Sequence, residues 1–176
     1  MNKDLSLKEV GDIIRGDFFL INKDNKKSLY QLRAQSERTG TIKKALVHYQ
    51  TGNDEYTATG HWCAIIINPT KHSVYFFDSF GDFPDSQISK IPMRYREMTG
   101  QVGKEIGKFL YDCYKSGYDV RYNEVKLQDD KSSVCGRYCG IFLRHESEPE
   151  VLATIVTQLA KKHNMTPDEI ILAATS

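Results

Sequence analysis

The sequence predicts one α+β domain, spanning residues 1–176, in which helices flank a central, mostly antiparallel sheet. Two β-rich stretches, HWCAIIIN (61–68) and SVYFFDSF (73–80), are joined by turn-forming residues and predict a β-hairpin. Apolar residues at helical spacing on both sides of the hairpin predict the flanking helices. A chain of 176 residues is long enough to bury a sizeable core, and it contains no internal repeat or low-complexity tract.

The N-terminal part is predicted to combine short helices and strands. SLKEVGDII (6–14) has the apolar spacing of a helix, and DFFLIN (17–22) is typical of a short strand. The segment 28–40 is ambiguous and could be helical. KALVHYQ (44–50) alternates as a strand does, and TGNDEYTATG (51–60) has the composition of a loop.

The part after the hairpin is predicted to be mostly helical. The elements expected there are, in chain order, a loop over 81–92, an amphipathic helix over 101–117, an alternating strand over 118–128, a helix from Cys135 to about His145, a helix over 148–163 and a last helix after Thr166. Gly117 is suited to end a helix, and Pro167 is suited to the first position of one.

Composition excludes several classes of function. The net charge of +1 gives no general attraction to nucleic acid or to a membrane surface. No apolar run approaches the roughly 18 residues of a membrane span, and the N-terminus lacks the apolar core of a signal peptide. We therefore expect a chain kept in a reducing, cytosol-like compartment, with free thiols at Cys63, Cys113, Cys135 and Cys139.

The predicted hairpin brings a histidine and an acid together. If residues 68–71 form its loop, the numbers of opposed residues sum to 139, so His61 faces Asp78. Directly opposed side chains are close enough for a carboxylate to hydrogen-bond an imidazole. Such a pair is a general base with the group that orients it. The alternatives are a packed core histidine beside Trp62 and an aspartate that caps its own turn.

Cys135 has three possible roles, as a packed core thiol, a metal ligand or a nucleophile. The stretch SSVCG places it where a loop enters a helix, and the N-terminus of a helix lowers the pKa of a thiol. Gly136 would leave room for a substrate carbonyl. Gln128, seven residues upstream, could join the Cys135 N–H in an oxyanion hole. Cys139 and Cys63 are expected to be small core residues, and Cys113 has no functional assignment.

A zinc site is the competing interpretation of these residues. HWC (61–63) and CGRYC (135–139) supply up to four suitable ligands, the number that structural zinc requires. The spacing is wrong, because zinc knuckles use C-x-x-C. Zinc deaminases need a glutamate where this chain has Cys63. We therefore expect no metal.

Two stretches, GHWCAIIINPTKHSVYFFDSFGDF and LQDDKSSVCGRYCGIFL, resemble the adenovirus maturation proteases, which belong with the ubiquitin-like (SUMO) proteases among the cysteine proteases. The upstream GDFFLINKD is also similar to that family. The resemblance extends over about 8–84 and 118–145. It implies a papain-like fold with Cys135 as nucleophile, His61 as base and later acid, and Asp78 orienting His61. It also implies an oxyanion hole of Gln128 and the Cys135 N–H, with Trp62 packed beside the catalytic groups.

The resemblance further implies the biological role. It indicates a monomeric endopeptidase that cleaves viral capsid or core precursors at glycine-rich sites, in the virion and the host cytoplasm, with no cofactor for the chemistry. Adenovirus enzymes are stimulated by a capsid-derived peptide and by DNA, but this chain has no cysteine that we can assign to peptide coupling. Val134 also departs from the aspartate typical of SUMO proteases.

Three other functions stay open on the sequence. The same residues would serve a protease for ubiquitin or a ubiquitin-like modifier, such as a host-directed effector. Some effector acyltransferases share the order of histidine, acid and cysteine. A non-catalytic binding module is disfavoured because the whole set of catalytic residue types is present.

Overall fold

The computed structural model describes residues 5–50, 60–86, 93–99 and 103–176. The strands in these ranges are β1 (Phe19–Ile21), β2 (Lys43–Gln50), β3 (Gly60–Asn68), β4 (Ser73–Phe77) and β5 (Asp119–Tyr122). The helices are α1 (Leu7–Ile14), α2 (Ser28–Thr39), α3 (Met93–Thr99), α4 (Glu105–Lys115), α5 (Cys135–His145), α6 (Pro149–His163) and α7 (Pro167–Ala174). The predicted α+β class is confirmed. Apart from Gly60, the predicted loop 51–60 lies outside the described residues, as do parts of the segments 81–92 and 101–117.

The five strands form one mixed sheet in the order β1-β2-β3-β4-β5. The central strands β2, β3 and β4 pair antiparallel, as predicted. The two outer strands are parallel to their neighbours, because α2 connects β1 to β2 and a longer crossover that includes α4 connects β4 to β5. Antiparallel pairing is therefore confined to the centre of the sheet.

The hairpin of β3 and β4 has a different register from the predicted one. Asn68 pairs with Ser73, so the loop is 69–72 and the numbers of opposed residues sum to 141 instead of 139. Asn68 is the reason, because its side-chain oxygen accepts a hydrogen bond from the Lys71 N–H at 3.1 Å and closes the turn one residue later. Since the sum changes by two, every side chain stays on its predicted face.

Each face of the sheet has its own hydrophobic core. On one face, Ile65 and Phe76 pack with residues of α2 and α4 such as Leu29 and Phe109. On the other face, α1, α5, α6 and α7 cover Leu46, Ala64, Ile66 and Phe77, and this core contains most of α5. Helix α5 is therefore a central helix, as expected. None of the helices in the described ranges is both long and apolar enough to cross a membrane.

The ends of several helices follow from local sequence. Ser6 and Glu9 form a capping box at the start of α1, and Thr166 and Glu169 form another at the start of α7. Gly40 adopts a left-handed conformation (φ 68°) and ends α2, which confirms the possible helix in this segment. Helix α3 has no counterpart in the sequence prediction.

The strand predicted over 118–128 ends early, at Tyr122. From Asn123 onward the chain bonds to the segment that follows β4 and no longer continues the ladder. The N–H groups of Leu127 and Gln128 both donate to the Ser79 carbonyl, at 2.9 and 3.0 Å. Gln128 therefore lies in a loop and not at the end of a strand, where the sequence placed it.

Candidate active site

His61 and Asp78 are in contact and buried at the end of the sheet. The Nε2 atom of His61 lies 2.7 Å from Oδ1 of Asp78, and the residues are 4% and 1% exposed. The predicted pair is therefore present, although the two residues are not directly opposed. Continuing the observed register would place Cys63 across from Asp78, so His61 reaches the acid diagonally.

Backbone and amide groups hold Asp78 in place. Oδ1 also accepts the Phe80 N–H at 2.8 Å. The side chain of buried Asn123 accepts from the Asp78 N–H at 3.0 Å and donates to the Asp78 carbonyl at 2.6 Å. These bonds fix the backbone and one carboxylate oxygen of Asp78, so His61 faces an acceptor with little freedom to move.

The surroundings of His61 favour its protonated form. Burial alone would lower its pKa, but hydrogen bonding to Asp78 and to the Cys135 side chain outweighs burial and raises the pKa to about 9. The Phe80 ring stacks on the imidazole, with the ring centroids 4.6 Å apart. An imidazolium is therefore the main form at neutral pH, held between an acid and a thiol.

Cys135 is the first residue of α5 and is 5% exposed. The first N–H groups of any helix have no acceptor within the helix, so they favour a negative charge at this position. Because Asp78 binds Nε2 of His61, Nδ1 is the ring atom left for the thiol. The structure thus brings together the three residues that the sequence singled out.

Gln128 links the segment after Asp78 to the loop that precedes Cys135. Its Oε1 accepts from the Ser79 hydroxyl at 2.5 Å, and its Nε2 donates to the Ser132 carbonyl at 2.8 Å. Ser79 follows Asp78, and Ser132 lies three residues before Cys135. The side chain is 2% exposed, so its orientation is determined by these two bonds.

Trp62 and Gly136 pack together beside the nucleophile position. A Cβ on Gly136 would lie 3.0 Å from Val10 Cγ2 and 3.5 Å from Trp62 Cδ1. Val10 of α1 thus occupies the space on this side of Gly136, and room for a substrate carbonyl at Gly136 stays a prediction. The packing of Trp62 beside the catalytic groups stays part of the proposal, and its ring also contacts His48.

The other cysteines are buried, as expected. Cys139 donates to the Trp62 carbonyl at 3.3 Å and ties α5 to β3, whereas Cys113 accepts from Arg33 on the far side of the sheet. Burial raises the pKa of Cys63 and Cys139 well above the ordinary value, so both are neutral thiols at neutral pH. Neither is suited to act as a nucleophile.

Cys63, His61 and Asp78 together have the composition of a metal site. Their donor atoms lie within 4.8 Å of one another, and all three residues are buried. However, the His61 nitrogen and the Asp78 oxygen are already hydrogen-bonded to each other. The arrangement therefore fits a proton-sharing pair better than a set of open ligands.

A cavity of about 410 Å³ lies against the residues that flank His61. Its lining includes Gly60, Trp62, His48 and Leu20. Gly60 is required here, because a Cβ would lie 2.0 Å from Nε2 of His48 and 2.5 Å from the Tyr49 carbonyl. The cavity is lined by both chain neighbours of His61, Gly60 and Trp62, whereas His61, Asp78 and Cys135 are not part of its lining.

Sequence reasoning missed Asn123, Phe80 and Ser79, which position the residues it found. Only Asn123 carries a signal, since an asparagine just after an alternating stretch often bonds to nearby backbone. Ser79 and Phe80 lie in the chain segment after β4, and no local sequence pattern predicts the conformation of that segment.

The chain resembles a virophage protein. It is 31% identical over 120 residues to the uncharacterized protein V9 of Sputnik virophage, and the match covers 66% of each chain, a little under two thirds. No family model matches the chain.

Two solved structures align with this chain at low identity and low TM-score. The SUMO protease Ulp1, with its catalytic cysteine oxidized to a sulfenic acid, aligns with a TM-score of 0.40 at 15% identity, over 85% of this chain and 70% of that one. ChlaDub1 from Chlamydia trachomatis aligns with a TM-score of 0.34 at 15% identity, over 88% and 74%.

Proposed function

We propose that this chain is a cysteine endopeptidase with Cys135 as nucleophile, His61 as general base and acid, and Asp78 as the residue that orients His61. The observation that carries the proposal is the buried 2.7 Å contact between His61 and Asp78, next to a cysteine at the first position of a central helix. Nucleophile, base and orienting acid in contact are the minimum set for acyl transfer by a thiol.

The reaction begins with a thiolate–imidazolium pair. The pKa of His61, raised to about 9, keeps the imidazole protonated at neutral pH, and the unpaired N–H groups at the start of α5 favour a negative charge beside it. The sulfur attacks the peptide carbonyl carbon and forms a C–S bond while the C–N bond breaks. His61 gives its proton to the leaving amine. Water, deprotonated by His61, then attacks the thioester and releases the acid and the thiol.

Gln128 is proposed to stabilise the oxyanion. An amide nitrogen carries two hydrogens, so Nε2 can donate one bond to Ser132 and a second to the substrate oxygen. The N–H of Cys135 would supply the second donor. Every step uses side chains and water, so the proposed chemistry requires no cofactor.

The proposed substrates are viral capsid or core precursors cleaved at glycine-rich sites. The similarity to a protein of Sputnik virophage supports a viral setting. The preference for glycine-rich sites is inferred from the resemblance to the adenovirus proteases, and the cavity beside Trp62 and His48 is the proposed place for the extended substrate segment. A protease for a ubiquitin-like modifier would need the same preference, so the substrate has to be tested directly.

The first experiment separates a protease from a protein with an inert site. Purified wild type is incubated with a peptide library containing Gly-Gly sites, with and without DNA, and products are identified by mass spectrometry. We expect cleavage by the wild type and none by Cys135→Ala. Cys113→Ala is the matched control, because it removes a buried thiol far from His61 and should cleave normally.

A second measurement covers the case in which the peptides are poor substrates. Iodoacetamide should modify Cys135 at pH 7 faster than any other cysteine, and His61→Gln should slow that modification. Equal reactivity of Cys135 in wild type and His61→Gln would contradict the proposed pair. Labelling by a ubiquitin or SUMO C-terminal probe, without cleavage of viral precursors, would assign the chain to the modifier proteases instead.

A further inference from the structure

Helix α6 presents a row of aliphatic side chains to solvent. Val151, Ile155 and Leu159 follow one another at intervals of four residues and are 46%, 46% and 38% exposed. Residues four apart are neighbours on a helix surface, so the three side chains form one continuous stripe. The adjoining face of the helix, about 100° around its axis, buries Leu152 and Val156 in the core. The apolar surface of α6 therefore extends beyond the part that its own core covers, and this extension is suited to a second contact.

Two opposite charges lie symmetrically about the middle of this stripe, one at the N-cap of α6 and one in its last turn. Glu148 lies seven residues before Ile155, and Lys162 lies seven residues after it. Val151 and Leu159 likewise lie four residues before and after Ile155. The helix thus has an acid at its N-terminal end, a base at its C-terminal end and an aliphatic residue at its centre.

Two antiparallel copies of such a helix complement each other. In an antiparallel pair the numbers of facing residues have a constant sum. If Ile155 of one copy faces Ile155 of the other, the same sum places Val151 against Leu159 and Glu148 against Lys162. A two-fold axis through Ile155 therefore satisfies all three pairs at once, as an isologous interface requires. The Glu148 carboxylate also lies 3.5 Å from Arg121, so it would be shared between two cations.

We propose that this protein forms a two-fold symmetric dimer through the exposed stripe of α6. A standard interface buries about 800 Å² per partner, and three half-exposed aliphatic side chains supply only part of that area. The dimer should therefore be weak and should form as the protein concentration rises. The proposal replaces the monomer expected from sequence and does not depend on the proposed function.

Sedimentation velocity over about 5 to 500 µM protein tests the proposal in the range of a weak interface. We expect the average mass of the wild type to rise from the chain mass of 20.1 kDa toward twice that value. Ile155→Glu should remain at the chain mass, because the axis brings its two new carboxylates together. Tyr114→Glu is the matched control. Tyr114 lies on α4, outside the stripe, and is 68% exposed, so this variant should dimerise as the wild type does.

Charge reversal tests the antiparallel register. Glu148→Lys alone and Lys162→Glu alone should each weaken the dimer, and the double variant should recover much of the loss. Cysteine cross-linking tests the same register independently. Ile155→Cys should form a disulfide with its own copy under mild oxidation. Val151→Cys should cross-link only when it is mixed with Leu159→Cys.

Two results would overturn the proposal. One is a wild-type protein that stays at 20.1 kDa over the whole concentration range, which would leave the stripe to a different protein. The other is a dimer that Ile155→Glu does not weaken, which would place the interface elsewhere. Circular dichroism should show the same helix content in every variant, since all the substituted side chains are partly or largely exposed.

Discussion

At the scale of single residues, the site depends on how a buried histidine keeps its proton. Desolvation of His61 opposes the charge, and Asp78 is the strongest of the groups that restore it. Asp78 can do so because the Phe80 N–H and the two bonds from Asn123 hold it in one orientation. The charge on the imidazole is therefore produced jointly by residues that lie far apart in the sequence.

The raised pKa of His61 predicts how stability varies with pH. The folded protein holds the proton up to a pKa of about 9, whereas the ordinary value is 6.5. The resulting stabilisation is full below about pH 6.5 and is lost as the pH rises through 9, and it amounts to roughly 3 kcal/mol. Urea unfolding of the wild type at pH 6 and at pH 9.5 should show this loss.

Substitution of His61 shows how much of the pH-dependent loss of unfolding free energy is due to this residue. His61→Gln should show a smaller loss of unfolding free energy between the two pH values, because it has no imidazole to titrate. His145→Gln, at an exposed position, serves as control and should behave as the wild type. An equal loss in wild type and His61→Gln would mean that other groups cause the pH dependence.

Asn123 is predicted to be a positioning residue for Asp78. Asn123→Asp keeps an acceptor for the Asp78 N–H but loses the donor to the Asp78 carbonyl, and Asn123→Ala loses both bonds. The rate at which iodoacetamide modifies Cys135 at pH 7 should fall about 10- to 100-fold in the alanine variant and less in the aspartate variant. Asn68→Ala, which removes only a turn bond, should react normally.

At the scale of elements, the glycines of α5 allow it to approach α1 closely. Gly136 and Gly140 lie one turn apart and face Val10 and Ile13 of α1. Without a Cβ, each lets the neighbouring side chain lie against the backbone of α5. Helix α1 therefore supports the helix whose first residue is Cys135, and its capping box holds its own first turn in place.

Gly140→Ala should destabilise the fold. Its Cβ would lie 2.6 Å from Ile13 Cγ2 and 2.9 Å from Ile13 Cβ, and the second of these atoms cannot move without the backbone. We expect a loss of about 1 to 3 kcal/mol in unfolding free energy, measured by urea denaturation. Gly16→Ala has no atom within 4 Å of the new Cβ and should change stability little. Equal stability of the two variants would disprove the close approach.

The sequence predicted most elements because their signals are local. Ser6, Gly40 and Thr166 mark helix ends through bonds to their own neighbours, and the predicted helix from Cys135 to His145 agrees with α5. The predicted hairpin register was wrong by two in the sum of opposed residue numbers, because the register depends on where Asn68 closes the turn. His61 and Asp78 still met, since a shift of two preserves the face of each side chain.

The parts of the site that the sequence missed all involve long-range contacts. Asn123 meets Asp78 only because β5 lies parallel beside β4, and a parallel pairing leaves no local signature. The contact of Gly136 with Val10 was missed for the same reason, since no local pattern indicates that α1 lies against α5. The sequence could predict that His61, Asp78 and Cys135 lie together, but not which residues hold them in place.

At the scale of the whole molecule, Asp85 connects the segment after β4 to two elements, β2 and α4. Its Oδ1 accepts from the Tyr49 hydroxyl of β2 at 2.9 Å, and its Oδ2 accepts the Gly107 N–H of α4 at 2.7 Å. Asp85 is 2% exposed and follows the segment that carries Asp78 and Phe80. It therefore fastens that segment to both the sheet and a helix.

Asp85→Ala should lower the unfolding free energy by about 2 to 4 kcal/mol, because it leaves the buried Tyr49 hydroxyl and the half-buried Gly107 N–H without an acceptor. Asp85→Asn should recover part of this loss. It keeps one acceptor, and asparagine tolerates the left-handed backbone at this position (φ 66°). Thermal and urea unfolding measure both variants. Asp24→Ala, whose side chain is 74% exposed, should have little effect, and a similar loss there would contradict the proposed role of Asp85.

The parallel outer strands also bear on the order in which the chain folds. Strands β2, β3 and β4 are consecutive in the chain and pair with one another. Strand β5 pairs with β4 only after a long crossover, so this pairing has a larger separation in sequence. Asn123, Gln128 and Cys135 all follow β5 in the chain. A nascent chain therefore carries His61 and Asp78 well before it can hold them in position or present the thiol. The proposed active site would therefore be complete only once folding is nearly finished, and a nascent chain with the proposed activity would not react early.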